Sequence, residues 1–129
     1  MRKEYLATYF RAELSPEVLP DRFGVITGYN PNGQLAGNTV NLEVDRKLKE
    51  CLEKSKLSHF RVKGGSQDGS HQESGFGLVV DDRTILEKLS RQFEQEAFFW
   101  IQDGEIFCIK VGDSTLHWVG FWQERQLKK

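Results

Sequence analysis

The chain predicts an α+β fold: a two-layer sandwich with two helices on one mostly antiparallel sheet, built on a ferredoxin-like βαββαβ core with extra strands. Three observations predict it. Apolar residues recur at helical spacing in two stretches, one after Asn38 and one after Asp82. Short runs of β-branched and aromatic residues, bounded by Gly, Pro, Asn and Asp, fill much of the remainder. From Phe23 to Ile101 the elements read strand, helix, strand, strand, helix, strand. A length of 129 residues fits a single domain over 1–129. A domain of this size buries roughly two thirds of its unfolded surface and holds a core without staples.

The elements follow in chain order. Tyr5 to Leu14 is rich in β-formers and reads as a strand. Pro16 and Pro20 interrupt Ser15 to Arg22. Phe23 to Tyr29 is a second strand, and Asn30-Pro31-Asn32-Gly33 a turn. Because Asn30 precedes Pro31, extended backbone is expected there. Asn38 is the expected N-cap of the first helix, with Val40, Val44, Leu48, Cys51 and Leu52 as its buried stripe. Glu43 with Lys47, Asp45 with Lys49, and Glu50 with Lys54 are spaced to pair on its wet side. This helix should end near Ser55 to Ser58.

His59 to Lys63 is a third strand, and the Gly-, Ser- and Asp-rich segment Gly64 to Ser70 a loop. Glu73 to Val80 is a fourth strand. Asp81 or Asp82 caps a second helix with Ile85, Leu86, Leu89 and Phe93 on its apolar face. Ala97 to Ile101 is apolar on both faces, as in a strand covered from both sides. Asp103-Gly104 is a hairpin turn joining it to Glu105–Val111. Leu116 to Trp122 is a last strand, and the polar tail Gln123 to Lys129 is expected to fray. One sheet face stays uncovered unless the aromatic C-terminus or a second subunit of a homo-oligomer lies on it.

Eighteen basic and nineteen acidic residues nearly cancel, so no long-range field draws nucleic acid or an anionic membrane. Lys47, Lys49, Lys54, Lys56, Arg61 and Lys63 form a basic bias that Glu43, Asp45, Glu50 and Glu53 dilute. Cys51 and Cys108 are isolated and read as free thiols of a reducing compartment. The start, Met1-Arg2-Lys3-Glu4-Tyr5, lacks the apolar core of a secretion signal, and no apolar run is long enough to span a bilayer. These features predict a cytoplasmic location, with no membrane partner.

Polar residues concentrate at the end of the second strand. Thr27, Asn30 and Asn38 either lock the turn and cap the helix, or line a pocket for a small polar ligand, anionic or amide-bearing, at the helix N-terminus. Glu73 opens a strand two residues after His71, and that spacing points both side chains the same way, as an acid–base or metal-binding pair. His-x-Glu also opens a zinc deaminase signature, but the downstream Pro-Cys-x-x-Cys is absent. His59, His71 and His117 lie far apart, and no metal site or cofactor is predicted. The Gly64 to Ser70 loop fails as a phosphate cradle, having no Gly-Lys-Ser/Thr and leading into a strand.

The segments Tyr5 to Phe10, Ile26-Thr27-Gly28-Tyr29-Asn30-Pro31, Asn38, Glu73-Ser74, and Phe93-Glu94-Gln95-Glu96-Ala97 occur in an order that resembles a bacterial family known as domain of unknown function 3293. The resemblance spans Tyr5 to Val111 and departs at Gly28 and Tyr29, where the family more often has Ala and Trp. It carries no activity. It implies a bacterial, cytoplasmic protein with a site near Thr27, Asn30, Asn38, Glu73 and Gln95.

Three readings follow. The first is a non-catalytic binding or interaction module with a polar pocket near the Asn30/Asn38 turn. The second is a small hydrolase or transferase with Glu73 as base and Thr27, Asn30, Asn38 and Gln95 positioning a substrate. The third is a single-stranded nucleic-acid binder using Tyr5, Tyr9, Phe60 and Phe76 as a stacking face; it lacks the Lys/Arg-Gly-Phe/Tyr signature of such sheets and stays a runner-up.

Overall fold

The computed structural model describes residues 1–127 of the chain. Among these residues seven strands form one sheet: β1 (Tyr9–Ala12), β2 (Arg22–Thr27), β3 (His59–Gly65), β4 (Gln72–Leu78), β5 (Ala97–Gln102), β6 (Glu105–Lys110) and β7 (His117–Phe121). Their spatial order is β1-β3-β4-β2-β5-β6-β7, and every pairing is antiparallel. Three α-helices accompany them: the single turn α1 (Lys3–Leu6), α2 (Asn38–Lys54) and α3 (Thr84–Gln92).

This architecture corrects the expected two-layer, ferredoxin-like sandwich of two helices on one sheet. The fold is α+β, but it is a seven-stranded antiparallel sheet curled into a half-barrel, with three helices. The physical reason is a second core. On the helix side, Leu48, Leu52, Leu86 and Leu89 of α2 and α3 pack on Ile26, Phe76, Leu78, Phe98 and Trp100. On the opposite face, Phe10, Phe23, Val25, Phe60, Val62, Ile101, Ile106, Cys108, Val119 and Trp122 form a separate buried cluster with no long helix over it. An open sheet would leave that face wet. Curling lets the sheet cover it with its own ends.

The closure is traceable bond by bond. After β7 the chain makes a 3₁₀ turn, Trp122–Glu124, and returns to β1. Phe10 N–H donates to Arg125 O (2.7 Å) and Leu127 N–H to Phe10 O (2.8 Å), a short parallel bridge between opposite ends of the sheet. The Arg125 guanidinium donates to the carbonyls of Leu6 (3.1 Å), Thr8 (3.4 Å) and Val119 (3.0 Å), tying α1 and β1 to β7. Trp122 stacks on Phe10 (5.5 Å) and meets Phe23 edge-on (5.4 Å), plugging one end of the half-barrel. So the expected frayed tail is ordered through Leu127, which is buried; Lys128 and Lys129 lie outside the described residues.

Several local expectations also change. The first predicted strand, Tyr5 to Leu14, begins as α1, where Thr8 Oγ1 donates to Glu4 O (2.9 Å), and only Tyr9–Ala12 pairs. Val40 is exposed, and Asn41 rather than Val40 takes the inward position on α2. The predicted lysine pairs give way to Arg46 with Glu43 and Glu50, and to Asp45 with Arg61 on β3 (2.7 Å). Arg61 also lies 4.0 Å over the Phe76 ring. Of the predicted loop at Gly64 to Ser70, Gly64 and Gly65 belong to β3, and Asp68 accepts from Ser70 and Ser66 to fix the turn. Asp103 and Gly104, both at positive φ, make the β5–β6 hairpin turn.

Candidate functional site

The end of the half-barrel away from Trp122 is open. A cleft of about 770 Å³ enters the concave face there. Its floor is apolar: Phe10, Val25, Val62 and Phe99, with the Phe10 and Phe99 rings edge to face at 4.9 Å. Two glycines line its wall, Gly64 across from Glu73 and Gly75 across from Thr27. At Gly75 glycine is obligatory, since a Cβ there would lie 2.4 Å from Ile26 O. The N-terminal α1 brings Arg2 and Tyr5 to one side of the mouth.

Thr27, Asn30, Glu73 and Gln95 all border this cleft; Asn38 does not. Asn38 is the exposed first residue of α2, Gly37 holds the N-cap position, and no side chain caps that helix. The residue that sequence reasoning missed is Asn41, one turn further on and 6% exposed. Its Oδ1 accepts from Asn30 N–H (2.9 Å), and its Nδ2 donates to Asn30 Oδ1 (3.1 Å) and Ala36 O (3.3 Å). Asn30 Oδ1 also accepts from Ala36 N–H (3.0 Å). These bonds hold Asn30 at φ 50°, ψ 62°, left-handed instead of extended. Asparagine is among the few residues that tolerate that region. A polar residue on the inward stripe of α2 was the available signal for Asn41.

Part of this polar rim is therefore scaffold. Thr27 Oγ1 donates to Ser74 O (2.7 Å) and accepts from Tyr29 N–H (3.0 Å). Gln95 Nε2 donates to the carbonyls of Tyr29 (3.1 Å) and Phe93 (3.2 Å), which aims its own Oε1 away from them. Glu73 meets His71 Nε2 through one oxygen (3.2 Å). Among the described residues, Glu73 Oε1, Gln95 Oε1 and Asn30 Nδ2 have no protein partner.

On the other side of the mouth, Glu96 accepts from Arg2 (2.8 Å) and stands 3.5 Å from the Tyr5 hydroxyl. Burial, then the Glu96 charge, pushes the Tyr5 phenol up to about 12, so it stays a neutral donor at physiological pH. Burial, then Asp45, also raises Tyr29. Burial pushes the Cys108 thiol up to about 12, which leaves no thiolate for nucleophilic chemistry. Among the described residues no three His, Cys, Asp or Glu side chains gather around one point that could hold a metal, and no helix is long and apolar enough to cross a membrane. Of the four aromatics expected to form a stacking face, Phe60 and Phe76 are buried against opposite faces of the sheet.

The fold and cleft together define a half-barrel domain open at one end, with helices on its outer side. The chain belongs to the family described as "Protein of unknown function (DUF3293)", which matches residues 26–98, more than half of the chain. The matched segment is shorter than the Tyr5 to Val111 span of the expected resemblance; it contains Thr27, Asn30, Asn38, Glu73 and Gln95, and leaves out Arg2 and Tyr5. No curated protein and no solved structure matches the chain.

Proposed function

We propose that the protein is a non-catalytic binding module that takes a small, partly apolar ligand into the open end of its half-barrel. One observation carries this reading: an apolar-floored cleft of about 770 Å³ whose rim gathers Thr27, Asn30, Glu73 and Gln95 from β2, β4 and the segments around them. A concave apolar site with a few fixed polar groups is the usual form of a small-molecule site. The rim is preorganised, because the backbone around Asn30 and Gln95 is bonded before any ligand arrives.

The test uses a neutral apolar fluorophore, N-phenyl-1-naphthylamine. It should brighten on the wild-type protein, and Gly64→Val should abolish the signal. A Cβ at Gly64 makes ordinary contacts with Thr8 (3.5 Å) and Phe10 (3.7 Å), so the variant fills the cleft without breaking the sheet. Far-ultraviolet circular dichroism confirms folding. Equal brightening on both proteins, or none on the wild type, refutes the reading.

A hydrolase or transferase reading with Glu73 as base is favoured by one observation, the Glu73–His71 contact at 3.2 Å. It ranks second because no thiolate accompanies the pair and the Thr27 hydroxyl is already committed to Ser74 O.

A further inference from the structure

We propose that the ligand of this cleft is an organic cation: a small amine with an apolar or aromatic body, its ammonium group at Glu73 and its body against Phe10 and Phe99. This inference rests on the binding reading above and names the ligand class.

The charge inventory of the cleft carries it. No lysine lines it. Its two guanidinium groups are committed, Arg2 to Glu96 (2.8 Å) and Arg125 to three backbone carbonyls. Among the described residues Glu73, by contrast, meets neither Arg nor Lys; its one partner there is the exposed imidazole of His71. Gln95 Oε1, which borders the same cleft and has no partner among the described residues, is a second acceptor. Asn30 Nδ2 offers the rim one free donor, but the unpaired charge is the Glu73 carboxylate, so a ligand that meets it brings a cationic donor, and an anion would face Glu73 with both guanidinium groups among the described residues already engaged.

A second observation is independent of Glu73. The cleft already accommodates a cation supplied by the chain itself. The Arg2 guanidinium sits on Glu96 at the mouth, near the Tyr5 hydroxyl, and the backbone of Gly33 closes so tightly over that pair that a Cβ would lie 1.8 Å from Glu96 Oε1. Arg125 in turn lies 5.2 Å over the ring of Tyr9, another cleft residue. Carboxylates and aromatic faces around an apolar floor suit an alkyl- or arylammonium ion.

Three probes with one body and different charge test this by displacement of N-phenyl-1-naphthylamine at pH 7.4: 2-phenylethylamine, 2-phenylethanol and 3-phenylpropanoate. The amine should displace at roughly tenfold lower concentration than the alcohol, with the anion weakest. Glu73→Gln, nearly isosteric and on a half-exposed strand end, should weaken the amine roughly tenfold and so bring amine and alcohol together. Glu96→Gln, whose carboxylate Arg2 already occupies, should move the ratio less. Equal displacement by all three probes, no displacement by the amine, or an amine preference that survives Glu73→Gln overturns the inference while the fluorophore still reports the cleft. Absence of fluorophore binding to the wild type sinks the underlying binding reading instead.

Discussion

Replacing Asn41 by Ala separates a helix cap from a tertiary lock. Asn41 makes three hydrogen bonds, two to Asn30 and one to Ala36 O, and is almost fully buried. A neutral bond contributes about 1 kcal/mol net, and the Asn30 N–H would be left without its acceptor, so the loss should reach about 2–3 kcal/mol. At an unfolding entropy of roughly 2.1 cal/mol/K per residue, a chain of 129 residues loses about 7–11 °C in Tm for that change. Asn38→Ala is the matched control. Asn38 is exposed and caps nothing, so its loss should stay under about 0.5 kcal/mol, or roughly 2 °C. Urea midpoints and thermal scans on the two variants read the difference. Equal destabilisation by both, or an Asn41→Ala cost below about 0.5 kcal/mol, would refute the lock and restore the cap.

Two further outcomes follow from buried groups. Cys108 is fully buried with its thiol raised to about 12 by desolvation, whereas Cys51 is half-buried on α2. Iodoacetamide at pH 8 should therefore label Cys51 first and reach Cys108 only in urea, as read by peptide mass spectrometry. Tyr5 is raised from 10.0 to about 12, with burial the larger cause. A phenol held protonated by the fold contributes stability that is complete below pH 10 and is lost as pH rises through about 12. Wild-type Tm should fall across that window, and Tyr5→Phe should make the fall shallower; an unchanged slope counts against burial of the phenol.

How much of this was legible in the sequence depends on the range of the interactions. Both long helices and the Asp103-Gly104 hairpin came from local chemistry: apolar spacing at Leu48, Leu52, Leu86 and Leu89, and two residues that accept positive φ. The curl did not. It depends on Phe10 meeting Arg125 and Leu127, residues more than a hundred positions apart, in a tail whose composition is polar. Nor did composition reveal that Phe23 and Trp122 meet as a plug. For the site, the strand-end polar residues were readable as a group, and four of the five border one cleft. Asn38 stood out because Asn favours helix starts, but the backbone supplied Gly37 there and the useful amide was Asn41. Tyr5 stood out only as a stacking ring on a strand and Arg2 not at all, because the place of α1 at the mouth is set by the closure through Arg125.

The two ends of the half-barrel divide the work between shape and chemistry. At the closed end, Phe23, Phe60 and Trp122 fill the concave side with large rings, and no polar group is needed. At the open end, Gly64 puts no side chain into the cleft, Gly75 lets the Ile26 backbone approach, and the polar residues around them must first satisfy a backbone that no ring shields. The Thr27 hydroxyl and the Asn30 side-chain oxygen are spent on that task. The groups the scaffold leaves over are the second oxygen of Glu73, the side-chain carbonyl of Gln95 and the Asn30 Nδ2. Of these groups only Glu73 carries charge, so on the proposed binding reading it should set the sign of the ligand, while a change at Thr27 should reach any ligand only by way of the fold.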